Sequence, residues 1–231
     1  MLAASFQVRP LLVRAVVQAL QAIFIENRHA DRVIEYVLRQ NPKAGSRDRA
    51  FVAETTYEVV RYYRFYSAIL GQTPTSEEHF WQLIGIHLLL QTGNEEVFRL
   101  DELRALRPDT IRQRATEWRQ QRAYRESVPD WLDALGQQQL GERWEETLAW
   151  LNRPADVVLR TNPLKTTRDA LQQRLQAEGI QTRPHGPADA LVLSRRQNVF
   201  QTQAFREGLF EVQDYSSQQV APLLDPQPGM R

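Results

Sequence analysis

The hydrophobic period of this chain changes once, and that change constrains the fold more than any single motif. Up to about residue 124, apolar residues recur three and four apart, the period of a helix with one buried face. Val13, Val16, Val17, Leu20, Ile23 and Phe24 form one such stripe, and Val33, Val37 and Leu38 continue it until Asn41-Pro42 stops it. A basic loop, residues 42–47, leads to a long helix expected over 48–70. Its stripe is Val52, Thr55, Val59, Tyr62, Tyr66 and Ile69, and Gly71 ends it. Thr75 with Glu78 has capping-box spacing ahead of a helix over 80–90. The apolar run Leu83 to Leu90 contains His87 and reads as a buried helix whose histidine is a satisfied core residue. Asn94 is placed to cap the next helix, and Pro108 to open one through Tyr124. An all-α bundle follows, with about six helices and no strand signal.

Ser127 and Asp130 then mark a restart, with Ser127 as cap, and Asn152-Arg153-Pro154 breaks the helical run. Beyond it the period shortens. Val157 to Leu159 reads as a strand, Thr166 to Ala177 as a helix closed by Gly179, and Ile180 to Arg183 as a second strand. Ala190 to Leu193 and Leu209 to Val212 read as a third and a fourth, and Ser216 to Leu224 returns to helix with Asp214 or Ser216 as its cap. This alternation predicts a small α/β layer. The division expected is a helical domain over 1–126, then linker helices and an α/β subdomain over 127–231.

Composition excludes several chemistries. There is no cysteine, hence no disulfide, thiolate nucleophile or cysteine-ligated metal. No two of His29, His79, His87 and His185 stand three or four residues apart, so no metal site is expected. The glycines are scattered, with Gly136 and Gly141 the closest pair, and no phosphate-cradling loop is formed. No apolar run reaches the roughly 18 residues that span a bilayer, and no signal peptide is visible at the N-terminus, so a cytoplasmic protein is expected. Net charge is +1, and 27 of the 29 basic residues are arginine, the side chain suited to bidentate phosphate contact and to stacking on bases. Genomic base composition explains an arginine bias equally well.

Three segments carry a family resemblance. Phe205-Arg206-Glu207-Gly208-Leu209-Phe210-Glu211-Val212-Gln213-Asp214-Tyr215-Ser216-Ser217, running on to Gly229, resembles the stretch that enters the catalytic domain of bacterial Sun/Fmu-type RNA cytosine-C5 methyltransferases. Arg160-Thr161-Asn162-Pro163-Leu164-Lys165 resembles the Arg-x-Asn-x-x-Lys signature of the same family. Gly45-Ser46-Arg47-Asp48-Arg49-Ala50-Phe51, with Glu54, Tyr57, Val60, Arg61 and Tyr63, resembles the helix start of the NusB-type domain that precedes the catalytic part. The resemblance implies a NusB-like helical bundle followed by an RRM-like α/β subdomain.

It also implies what these parts do. The family attacks cytosine with a cysteine thiolate and takes its methyl group from S-adenosylmethionine, and the residues for both steps would lie beyond Gly229. None can be carried over to this chain, which is expected to be the RNA-binding N-terminal portion of an rRNA methyltransferase and inactive alone. A stand-alone NusB-like adaptor for RNA or protein is the alternative. The expected partner is structured RNA, rRNA above all. The expected contacts are Arg47, Arg49, Arg61 and Arg64, with Tyr62 or Tyr63 for stacking, and Arg160, Asn162 and Lys165. Eight basic residues face five carboxylates between positions 28 and 64, so internal ion pairing competes with RNA for Arg49 and Arg61. The helical cap of Asp214 and Ser216 explains Asp214-x-x-Ser217 without chemistry.

Overall fold

The structure is a computed structural model, and it describes residues 9–93, 95–186, 189–225, 227 and 229. The chain divides into two compact units, one up to Arg153 and one from Pro154. The first is all helix among its described residues. Helix α1 (Pro10–Phe24) opens on a proline, whose missing N–H costs nothing at a first helical position. α2 (Ala30–Gln40) stops before Pro42 as expected, and α3 (Ser46–Arg61) follows. The helix expected over 48–70 is broken once. Tyr62 leaves helical geometry, at φ −101° and ψ 23°, and α4 (Tyr63–Leu70) restarts behind it. The break turns Tyr63 onto Phe24, with ring centroids 3.9 Å apart.

α5 (Glu77–Thr92) is the core element. Ten consecutive residues, Phe80 to Leu89, are buried, so this helix has no polar face. α1, α3 and α4 pack on it. Its cap is Ser76, whose hydroxyl accepts the His79 N–H, and not Thr75, whose own N–H is taken by the His79 ring. The expected capping box is therefore out of register by one residue. His87 is satisfied as expected: its Nδ1 lies 3.0 Å from the Tyr66 hydroxyl. Burial pushes its pKa down to about 4 and that of Tyr66 up.

Two short 3₁₀ turns (Glu95–Arg99 and Asp101–Leu103) lead to α6 (Pro108–Arg119) and α7 (Arg122–Arg125), where one helix to Tyr124 was expected. The cap expected at Asn94 falls outside the described residues. Then α8 (Asp130–Leu140) and α9 (Arg143–Leu151) form a hairpin within the first unit. Ser127 does not cap α8. It sits at φ +58° and accepts the backbone N–H of Arg64 instead. Trp144 of α9 lies against Gly136, where any Cβ would stand 2.2 Å from its ring.

The second unit is a four-stranded sheet of β1 (Val158–Thr161), β2 (Thr182–Pro184), β3 (Ala190–Leu193) and β4 (Phe210–Val212). The order is β2-β3-β1-β4, and every pairing is antiparallel. α10 (Arg168–Ala177) joins β1 to β2, and a short α11 (Gln203–Arg206), unforeseen in the sequence, joins β3 to β4. This is the split β-α-β arrangement of ferredoxin-like folds. Leu171, Leu175 and Ala204 of the helices pack on Leu159, Leu191, Leu193 and Phe210. The opposite face carries Val158, Ala190 and Val192 under Tyr215. Asp214 caps α12 (Tyr215–Leu224) through the N–H groups of Ser216 and Ser217, as expected.

Candidate nucleic-acid interface

The Arg160–Lys165 turn and the Glu207–Leu209 loop are one interlocked element. The Asn162 side-chain amide donates to the Gly208 carbonyl at 3.0 Å, and its oxygen accepts the Leu164 N–H at 3.1 Å. Its backbone N–H donates to Leu209, and its carbonyl accepts from Lys165 and Thr166. Lys165 Nζ donates to the Glu207 carbonyl at 2.7 Å. Both side chains therefore satisfy carbonyls left free where α11 ends. Two of the three segments that carry the resemblance meet here, the polar side chains of one on backbone carbonyls of the other. Arg160 is different. It is exposed on β1, opposite Ala190 and Glu211, with one 3.4 Å contact to Gln213.

The four arginines expected in the helical unit also divide. Arg49 donates to the carbonyl of Leu38 and ties α3 to α2. Arg61 pairs with Glu58 at 2.8 Å and reaches the Asn152 carbonyl. Arg64 bonds to Val128 and Asp130 and lies 4.1 Å from the Tyr124 ring centroid. These three hold the bundle together. Arg47 is exposed and makes no hydrogen bond or ion pair among the described residues. Neighbouring Lys43 is likewise exposed and unpaired. Tyr62 and Tyr63 offer no open platform: both are partly buried, Tyr63 on Phe24 and Tyr62 against Tyr66.

The open aromatic and basic face lies on α2, which none of the expected contacts included. Val33, Ile34 and Val37 bury one side of this helix. Arg32, Tyr36 and Arg39 share the opposite side, and Tyr36 is 53% exposed. Arg28 stands 5.6 Å from the Tyr36 centroid. On the neighbouring edge the exposed Tyr57 hydroxyl donates to Asp31, which pushes its pKa up to about 12. The signal in the sequence was the i, i+4, i+7 spacing of Arg32, Tyr36 and Arg39 on the polar side of an amphipathic helix. The apolar stripe that identifies the helix marks only its other face.

The crevice in which doubly wound sheets hold nucleotide cofactors lies at the carboxyl ends of parallel strands, and among the described residues every strand pairing is antiparallel. Among the described residues no group of three histidine or carboxylate side chains is placed to hold a metal, and no helix is long and apolar enough to cross a membrane.

Residues 128–200 match the ferredoxin-like domain of RsmF/B-like methyltransferases. The chain is 37% identical over 102 residues to ribosomal RNA small subunit methyltransferase B of Vibrio cholerae, covering 44% of this chain and 24% of that protein. It is 31% identical over 207 residues to the enzyme of the same name from Xylella fastidiosa, covering 80% of this chain and 49% of the relative. The chain thus spans about half the length of that relative at most. A solved structure titled "Crystal Structure of PH0851" superposes with a TM-score of 0.66 at 17% identity, over 97% of this chain and 57% of that one, which is a likeness of fold.

Proposed function

We propose that this relative of the bacterial Sun/Fmu-type rRNA methyltransferases uses the present residues to bind ribosomal RNA. Catalysis, and the S-adenosylmethionine it consumes, would belong to a further part of the protein. The observation that carries this reading is the 207-residue similarity to a small subunit rRNA methyltransferase, which takes in 80% of the chain. That region must do something for an enzyme whose substrate is RNA. The exposed cations of the two units supply the chemistry, since Lys43, Arg47 and Arg160 are free to meet phosphate. Arg49, Arg61, Arg64, Asn162 and Lys165 bond within the chain and are not among these free groups.

The test compares two variants for binding to fragments of small-subunit rRNA. The double variant Arg47→Ala with Arg160→Ala is expected to bind more weakly and with a smaller salt slope, by about 0.7–0.9 for each phosphate no longer neutralised. Lys165→Ala is expected to leave the salt slope unchanged. Equal binding by the parent and the double variant overturns the assignment of Arg47 and Arg160.

A further inference from the structure

We propose that the outer face of α2 is a stacking site for an unpaired RNA nucleotide, with Tyr36 as the platform and Arg32 and Arg39 as phosphate contacts. The inference rests on the RNA-binding reading above and deepens it by naming single-stranded RNA as the ligand of this face. Tyr36 points away from the bundle, because the residues beside it on the helix, Val33 and Val37, are the buried ones. A single half-exposed tyrosine is ordinary at a protein surface; the arginines around this one set it apart. Arg32 lies one turn before it and Arg39 one turn after, so two guanidinium groups flank the ring along the helix axis. Arg28 approaches the ring at 5.6 Å.

Three arginines and three carboxylates balance around this ring, and among the described residues the charge left unpaired, on Arg32, is positive. Arg39 pairs with Glu35, at 74% and 61% side-chain exposure, and Arg28 with Glu26 at 3.6 Å. Such exposed pairs are weak and exchange readily for a phosphate. Arg32 has no partner among the described residues. A base has the flat π-face to lie on tyrosine, and its own phosphates reach the flanking arginines. A paired base presents no such face, because its neighbours in the helix already occupy it. The ligand is thus a loop, bulge or single strand.

The experiment uses the full chain and two probes, a single-stranded RNA dodecamer and the same dodecamer annealed to its complement. Tyr36→Ala is expected to weaken single-strand binding by roughly tenfold or more, the loss of one stacked base, and to leave duplex binding alone. Tyr36→Phe keeps the ring and is expected to bind as the parent does. Arg32→Gln is expected to reduce the salt slope by about 0.7. Melting temperatures should not move, since these side chains face solvent. Equal single-strand binding by Tyr36→Ala and the parent overturns the stacking site while leaving the rRNA-binding reading intact. So does displacement of the RNA by polyglutamate at matched charge, which would mark the face as a site for acidic protein. If the parent binds neither the dodecamer nor small-subunit rRNA fragments, the broader reading has failed.

Discussion

Replacing Asn162 by alanine should destabilise the sheet unit and leave the free cations untouched. The half-buried side chain makes two hydrogen bonds, one to the Gly208 carbonyl and one from the Leu164 N–H. Each is worth about 1 kcal/mol net, and the stranded Gly208 carbonyl adds a penalty of similar size unless water reaches it. The expected loss is therefore about 2 kcal/mol. For a unit of this size that corresponds to a fall of roughly 8–15 °C in its melting temperature. Lys165→Ala should cost less, about 0.5–1 kcal/mol, because its bond to Glu207 is exposed to solvent. Amide exchange read residue by residue separates the two units: the Asn162 and Leu209 region should lose protection while α1 and α5 keep theirs. If Asn162→Ala melts with the parent but binds rRNA more weakly, the residue is an RNA ligand and the interlock is incidental.

Three further outcomes follow from the packing. His87 has a folded pKa of about 4 against an ordinary 6.5, so the unfolded chain takes up its proton first. Its contribution is present above pH 6.5 and is lost as pH falls towards 4, up to roughly 3 kcal/mol; urea midpoints at pH 7 and pH 4.5 should differ less in His87→Gln, and an unchanged difference would refute the assignment. Gly136→Ala places a Cβ 2.2 Å from the Trp144 ring, whose Nε1 is held by Asp133 at 2.8 Å, and should cost about 2 kcal/mol by thermal melting. A fragment ending at residue 126 lacks the partners of Arg61 at Asn152 and of Arg64 at Val128 and Asp130. It should unfold at lower urea than one ending at Arg153, and equal midpoints would show that α8 and α9 add nothing.

The elements were legible wherever a burial pattern decided them. α1 and α2 follow from their apolar spacing, α5 from its continuous apolar run, and β3 lies where Ala190 to Leu193 was read, because all four of its residues are buried. Errors came where one hydrogen bond outweighed a pattern. Thr75 and Ser76 are equally good caps in sequence, and only the His79 contacts separate them. The break at Tyr62 interrupts an apolar stripe that continues on both sides of it. The site was harder to read for a physical reason. An arginine in a sequence carries no mark of whether a carbonyl or the solvent receives it, so Arg47 and Arg49 look alike although only Arg49 is bonded. Asn162 and Lys165 were expected to meet RNA, and nothing in the sequence marked the Glu207 and Gly208 carbonyls that their side chains meet in the structure.

Affinity for small-subunit rRNA fragments, measured across a series of monovalent salt concentrations, tests the central claim most directly. With several arginines free to meet phosphate, log K is predicted to fall linearly with log salt at a slope of about −0.7 to −0.9 per contact, and to lose part of that slope in Arg47→Ala, Arg160→Ala and Arg32→Gln. Absence of binding at low salt, or an affinity indifferent to salt and to all three substitutions, would contradict an RNA-binding role for this chain.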